Sequence, residues 1–194
     1  MSYPYSAIAI DLKKLTAAVG SKDKKLEAAL KKKFGSDYEE NSEWFADEIE
    51  KGAPTLERAV SEIIAGTMPK KSKHGFQYGY ALEKLVLHFG KRIDEDELGL
   101  GADEAIEKAL KKAKLPTFAK LTKNLVYPIP IPPPADFPDI STMTPPDVAI
   151  FASALDSLTP IIADDDDALE VRDAFRSWCT KAQKKKSALM LFAY

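Results

Sequence analysis

The sequence has a single cysteine, Cys179, only two histidines, His74 and His88, and no run of about 18 apolar residues. One cysteine cannot form an intramolecular disulfide, which is typical of a protein kept in a reducing cytoplasm. The missing apolar run predicts that no segment crosses a membrane. The first residues lack the basic region and apolar stretch of a secretory signal, which also favours a cytoplasmic protein.

Neither sign of charge dominates, since 28 basic residues face 30 acidic ones and the net charge is -2. Without a global positive field, neither nucleic acid nor an anionic membrane surface is expected as a partner. The charges are instead arranged in blocks. Residues 37–66 hold nine acids against two basic residues, whereas residues 12–33 hold eight lysines against two acids. Such blocks can steer a protein partner even at low net charge.

Motifs that carry chemistry are also missing. The sequence has no glycine-rich phosphate loop, zinc-binding helix pair, nucleophile elbow or paired-cysteine cluster. The histidines are 14 residues apart, which on one helix means roughly 21 Å and excludes a shared metal. Cys179 continues the apolar stripe of Val171 and Phe175, which predicts a buried, inert thiol. The acids of residues 163–167 are typical of a helix start. We therefore expect no metal site and no cofactor.

The two ends of the chain both have the pattern of an apolar strand. Residues 3–12, YPYSAIAIDL, and residues 187–194, SALMLFAY, are apolar on both alternating faces, which predicts strands covered on both sides. Amphipathic helices fill most of the sequence between them. We therefore predict an α+β fold that is mostly helical, with a small sheet formed by the N- and C-terminal strands.

Capping residues and glycines predict several helix boundaries. Thr55 and Thr144 precede apolar stripes of helical spacing and are expected to cap these helices, and Gly66 is expected to end the first of them. Gly35 followed by Ser36, which has a glutamate three residues later, predicts one helix end and a new helix start.

The clearest internal boundary is YPIPIPPPADFP, residues 127–138, which holds six of the 13 prolines. Prolines are excluded from helix interiors and favour an extended polyproline II conformation. We predict that residues 1–194 form a single domain, with 1–126 and 135–194 as two lobes joined by the proline-rich segment 127–134. The acidic segment 93–101, IDEDELGLG, is predicted to be a loop.

The stretch KHGFQYGYALEKL, residues 73–85, is the densest local pattern. Its glycines and aromatics imitate an RNA-recognition signature, but the helical periodicity that follows and the net charge oppose that interpretation. Gly75 and Gly79 lie four apart on one helix face, which predicts a close approach of another backbone. Phe76 and Tyr80, with His74 beside them, stay open as anchors of a protein interface.

Four segments, at residues 9–30, 78–85, 136–155 and 175–194, resemble an uncharacterised bacterial family of small proteins. They read AIDLKKLTAAVGSKDKKLEAAL, YGYALEKL, DFPDISTMTPPDVAIFASAL and FRSWCTKAQKKKSALMLFAY. The last two also resemble the C-terminal half of the YfbM-like family, although KKKSAL stands where relatives more often have a glycine before the closing strand. Neither resemblance supplies a catalytic residue. Small proteins of this sort resemble immunity or accessory proteins of toxin systems.

These observations together predict a non-catalytic cytoplasmic binding protein with a protein partner. The acidic block is the expected contact surface, with Glu39, Glu40 and Glu43 as its residues. The resemblance extends this to an immunity-type protein that binds and neutralises a toxin or another protein. We expect a monomer or a weak homo-oligomer.

Two other classes of function stay open. One is an enzyme of unknown reaction, with a site around His74, Tyr80 and His88 and with Asp94 as a further titrating group. The other is a structural or regulatory module that oligomerises through an exposed strand edge.

Overall fold

The computed structural model describes residues 2–99, 102–122, 129–135 and 137–194. The backbone contacts divide the chain into two compact units. The sheet unit comprises Met1–Ile10, Lys91–Tyr127 and Ile140–Tyr194, and the helical unit comprises Asp11–Gly90 and Pro128–Asp139. The predicted single domain and its lobes stay a prediction, and residues 127 and 128 of the predicted joining segment lie outside the described residues.

The sheet unit is built on strands β1 (Ser2–Ile10), β2 (Gly90–Gly99), β3 (Asp139–Met143) and β4 (Ala188–Ala193), in the order β2-β1-β4-β3. β1 and β4 pair antiparallel from Tyr5 opposite Ala193 to Ile10 opposite Ala188. Both alternating faces of β1 are buried from Ser6 onward. The predicted α+β class and the meeting of the two terminal strands in one sheet are confirmed.

Helices α6 (Ala102–Lys112), α7 (Phe118–Thr122), α8 (Pro145–Leu158) and α9 (Asp166–Lys184) belong to the same unit. Trp178 and Phe151 are fully buried in its core, where Phe175 contacts both rings. α8 begins with the predicted cap, because the Thr144 hydroxyl accepts from the Asp147 amide and the Asp147 carboxylate accepts from the Thr144 amide. The acids at residues 165–167 start α9, as expected.

The helical unit contains α1 (Leu12–Ala18), α2 (Lys24–Trp44), α3 (Ala46–Glu50), α4 (Leu56–Ala65) and α5 (Gly75–Phe89). α4 has the predicted ends, with Thr55 as its cap and Gly66 at a φ of 71°. The turn between α1 and α2 is tied to the end of α4, since the Gly20 and Lys22 amides donate to the Ile63 and Ile64 carbonyls.

Two predictions about local structure need correction. The helix boundary predicted at Gly35 and Ser36 is displaced by one residue: Phe34 has non-helical φ and ψ (-123°, 21°), so α2 consists of two helical segments that meet at a kink there. A glycine inside a helix costs only about 1 kcal/mol, which the burial of Phe34 and Tyr38 on either side can offset. Residues 93–99 are strand rather than loop, because β2 lies next to β1 and Leu98 is buried in the core. β3 was not predicted.

The glycines of α5 have the predicted packing role. A Cβ atom on Gly75 would lie 2.1 Å from the Pro133 carbonyl oxygen, and one on Gly79 would lie 2.9 Å from the Pro138 ring. Both prolines belong to the proline-rich stretch 127–138, in which Ile129 and Ile131 are also buried. The glycines therefore let the proline segment lie directly against α5.

We predict that Gly75→Ala lowers the free energy of unfolding by about 2 kcal/mol or more. The added methyl group would overlap the Pro133 backbone, so the proline segment would have to move away from α5. Gly35→Ala is the matched control. Its Cβ meets no atom within 4 Å, so better helix propensity should raise stability by about 0.5–1 kcal/mol. Chemical denaturation of both variants measures the difference, and equal midpoints would contradict the close approach.

Candidate functional site

The most distinctive surface of the helical unit is the exposed side of the C-terminal half of α2. Glu39, Glu40 and Glu43 are all exposed there. Within the described ranges, no ion pair or hydrogen bond engages any of the three carboxylates. By contrast, Asp37, one turn earlier, is bound by the Lys84 ammonium at 2.6 Å. The three glutamates thus carry negative charge that the protein itself does not compensate.

Trp44, the last residue of α2, lies at the edge of this acidic surface. Its side chain is 74% exposed, the largest value among the exposed large apolar residues of the described chain. Glu40, one turn earlier on α2, is acidic, and Asp47 and Glu48 follow in α3. Tryptophan has the greatest tendency of any residue to act as an anchor in protein interfaces.

Phe45 connects the acidic surface to the start of α5. Its ring centroid lies 4.9 Å from that of Phe76 and 5.6 Å from that of Tyr80, both in tilted geometry. All three rings are half-buried, so each presents an edge to solvent while the cluster fixes its orientation. We call the surface formed by these seven residues the acidic aromatic face: Glu39, Glu40, Glu43, Trp44, Phe45, Phe76 and Tyr80.

The fold therefore brings together residues that the sequence indicated separately. The acidic block and the aromatic pair of α5 meet through Phe45, which follows the acidic segment. His74 lies beside this cluster, with its ring centroid 6.3 Å from that of Phe76. Its Nε2 atom is buried and has no hydrogen-bond partner among the described residues.

His88 lies at the other end of α5, in the last turn, whereas His74 immediately precedes the first turn. Burial and the nearby Lys33 ammonium both lower the pKa of His88, since each disfavours the imidazolium form. Its Nδ1 atom is buried without a partner in the described chain. His88 is therefore a neutral packing residue at neutral pH.

We predict that protonation of His88 destabilises the folded protein in acid. The folded pKa is lower than the ordinary value of 6.5, so the unfolded chain binds the proton first and stability falls as the pH drops through 6.5. His88→Gln should lose less stability than the wild type between pH 8 and pH 5, as measured by urea denaturation at each pH. Parallel pH profiles for the two proteins would contradict this assignment.

Cys179 is fully buried in the core of the sheet unit, on the face of α9 that carries Phe175 and Trp178. Burial raises the pKa of its thiol to about 12, with a small opposing effect of the Arg176 guanidinium. The thiolate form that reacts with electrophiles is therefore scarce at neutral pH. The structure supports the expectation of an inert thiol.

We predict that Cys179 does not react with a thiol reagent such as iodoacetamide at pH 8 while the protein is folded. The same reagent should label it stoichiometrically in 6 M guanidinium, where the protein is unfolded. Only unusually stable domains have unfolding midpoints above about 5 M guanidinium. Mass spectrometry measures the labelled fraction under both conditions. Complete labelling of the folded protein within minutes would show that the thiol is accessible and ionised.

Sequence reasoning missed Trp44 and the joining role of Phe45. A signal for Trp44 was present, because the residues three and four positions away in the sequence include Glu40, Asp47 and Glu48. A buried tryptophan would need apolar neighbours at that spacing. No local pattern indicated that Phe45 contacts α5, because that contact joins residues about 30 positions apart in the sequence.

Comparison with known families identifies the chain. The family model described as "Domain of unknown function (DUF7691)" matches residues 1–194. The chain belongs to this family. No curated protein and no solved structure matches. Membership in this family agrees with the expected resemblance to an uncharacterised family.

Two features are absent from the described residues. None of their helices combines the length and the hydropathy that a membrane span requires. The same residues contain no group of three or more histidine, cysteine or acidic side chains placed to hold a metal ion.

Proposed function

We propose that this member of the family is a protein-binding module that uses the acidic aromatic face. The observation that carries the proposal is the position of three uncompensated carboxylates, Glu39, Glu40 and Glu43, next to a tryptophan that is 74% exposed. Charge gathers a partner over distance, and a large apolar ring supplies area to bury once contact is made.

The partner that fits this face has a basic surface with an apolar depression. Lysine or arginine side chains would neutralise the three glutamates, and the depression would receive Trp44. The half-buried rings of Phe45, Phe76 and Tyr80 would form the flat border of the contact. Because their mutual contacts already restrict them, little side-chain entropy is lost when they bind.

The finer form of the proposal is an immunity-type protein of the bacterial cytoplasm that masks a toxin, acting as a monomer or a weak homo-oligomer. An acidic surface suits the neutralisation of a basic target, because electrostatic steering speeds association. The resemblance of residues 136–155 and 175–194 to the YfbM-like family belongs to this form of the proposal, as does the cytoplasmic location inferred from the lone cysteine.

The alternative enzyme around His74, Tyr80 and His88 has weaker support. Its two histidines lie at opposite ends of the 15-residue helix α5. One cavity of the described residues is lined by α2 and α4 and another by α8 and the residues after α6, and these three side chains line neither of them. A binding function explains the observed exposure of charge and tryptophan more directly.

We predict that tagged protein from its native host captures a basic protein, with a yield that falls as salt is raised. With that partner purified, Glu40→Lys/Glu43→Lys should weaken binding at least about tenfold, mostly through slower association. Trp44→Ala should cost about 2 kcal/mol of binding free energy, mostly through faster dissociation. Surface plasmon resonance at two salt concentrations separates the two effects.

Matched controls come from the sheet unit. Asp164→Lys/Glu170→Lys makes the same change of charge at two exposed acids, and Ile161→Ala truncates an apolar side chain that is 49% exposed. Both controls should bind the partner as the wild type does. If the controls and the α2 variants weaken binding equally, net charge rather than the acidic aromatic face carries the interaction.

A further inference from the structure

An open groove of about 400 Å³ lies on the exposed side of α8 in the sheet unit. Leu115 and Pro116, which follow α6, line it together with residues of α8 at helical spacing. The α8 residues in the lining are Ala149, Ile150, Ser153, Ala154 and Ser157. Among the described residues no charged side chain lines the groove, and the Ser157 hydroxyl donates within α8, to the Ser153 carbonyl at 2.9 Å. Ile150 is 44% exposed, so the groove presents apolar surface to solvent.

Lysines at the end of α6 adjoin this groove. Lys114 directly precedes Leu115, and Lys112 is the last residue of α6. The Lys114 amide donates to the Lys111 carbonyl and the Leu115 amide to the Leu110 carbonyl, so the chain turns tightly at this helix end. Lys112 and Lys114 are both exposed, and within the described ranges no ion pair or hydrogen bond engages either ammonium group. The border of the groove therefore carries positive charge that the described chain leaves uncompensated.

Asp156, an acid of α8 close to the groove, is already neutralised. It directly precedes the lining residue Ser157, and the Arg176 guanidinium binds its carboxylate through two nitrogens at 2.6 and 3.0 Å. Its charge therefore does not cancel that of the two lysines. The sheet unit thus has a basic surface with an apolar depression, and these are the two properties that the acidic aromatic face requires of a partner.

We propose that the acidic aromatic face of one copy of this protein binds the groove beside α8 on a second copy. The inference rests on the proposed function, because it names an occupant for the same face. The exposed Trp44 ring enters the groove and contacts Ile150. Pockets of about 300–1,000 Å³ hold drug-sized ligands, and an indole ring is smaller than such a ligand, so the groove has room for it.

The charges of the two surfaces match in position as well as in sign. Glu43 directly precedes Trp44, just as Lys114 directly precedes the first residue of the groove, so the two form an ion pair when the ring is in place. Glu40, one turn earlier on α2, pairs with Lys112. Exposed ion pairs contribute little singly, so burial of the indole supplies most of the affinity and the charges set the orientation.

The contact is heterologous, because it joins two different surfaces of the chain. A dimer therefore keeps one free face and one free groove, to which further copies can add. The net charge of -2 gives only weak general repulsion between copies. Self-association covers Trp44, so it competes with a basic target for the acidic aromatic face.

Sedimentation velocity of the full chain at low and high salt tests the contact. We expect the sedimentation coefficient to rise with concentration, with a Kd between about 1 µM and 1 mM that is weaker at high salt. Trp44→Ala and Ile150→Asp should each weaken association at least about tenfold. The control is Ile161→Ala, which truncates a side chain that is 49% exposed but lies outside the groove and should change nothing. A coefficient that does not rise up to about 1 mM would overturn the proposal.

Mixing two variants separates this contact from a symmetric one. Trp44→Ala keeps an intact groove, and Ile150→Asp keeps an intact face. Each alone should be monomeric at a concentration at which the wild type associates. An equimolar mixture should form a one-to-one dimer and no larger species, because only one productive contact remains. A mixture that stays monomeric would overturn the proposal.

Charge reversal tests the ion pairs independently of the groove variant and its folding. Lys112→Glu/Lys114→Glu should weaken self-association at least about tenfold, and Glu40→Lys/Glu43→Lys in the same chain should restore it. If the combined variant associates no better than either pair of substitutions alone, the assigned pairing is overturned.

Capture of a basic protein distinguishes this inference from the proposed function. Ile150→Asp leaves the acidic aromatic face intact, so it should capture the partner as the wild type does. If the wild type captures a partner through Trp44 but stays monomeric by itself, self-association is overturned and the proposed function stands. If it associates with itself through Trp44 but captures no basic protein, self-association stands and the proposed masking of another protein is overturned.

Discussion

The antiparallel pairing of β1 with β4 is the constraint on which the sheet unit depends. It joins residues 5–10 to residues 188–193, so the two inner strands of the sheet come from opposite ends of the described chain. β2 and β3 then have one inner strand each to pair with. α9 precedes β4 directly and contacts both inner strands, which places the core around Trp178 on one face of the pair.

The helical unit is held together by close packing of other segments against α5 rather than by strand pairing. Gly75 and Gly79 let the proline segment lie against α5, and α2 and α4 both pack against the same helix. The N-terminal turns of α5 are held in this way, so Phe76 and Tyr80 meet Phe45 in a fixed arrangement. The packing glycines and the two rings of the candidate binding surface, Phe76 and Tyr80, therefore belong to the same N-terminal turns of α5.

The predictable part of the fold was encoded in local signals. Thr55, Thr144 and Gly66 marked true helix ends, because capping satisfies backbone groups within a few residues. β2 was missed because its sequence, GKRIDEDELG, carries too much charge to show the alternation of a half-buried strand. Gly35 and Ser36 indicated a helix boundary that the structure has one residue earlier, as the kink at Phe34.

The candidate site was predictable in its parts but not in its assembly. Glu39, Glu40 and Glu43 were indicated by the charge block, and Phe76 and Tyr80 by the aromatic pattern. Their junction depends on a contact between Phe45 and α5 that no single segment encodes. The groove beside α8 was equally invisible, since it is formed by one face of that helix and by the residues after α6, which belong to two separate segments.

The arrangement of the inner strands also orders events during synthesis. β1 is synthesised before its partner β4, which begins 178 residues after Ile10 (188 minus 10). At about 5–20 residues per second, β1 waits roughly 10 to 35 s without its central neighbour. Both segments of the helical unit have been synthesised before β4, since they end at Gly90 and Asp139. The sheet with β1 and β4 as its inner strands can therefore form only after residues 188–193 have been synthesised.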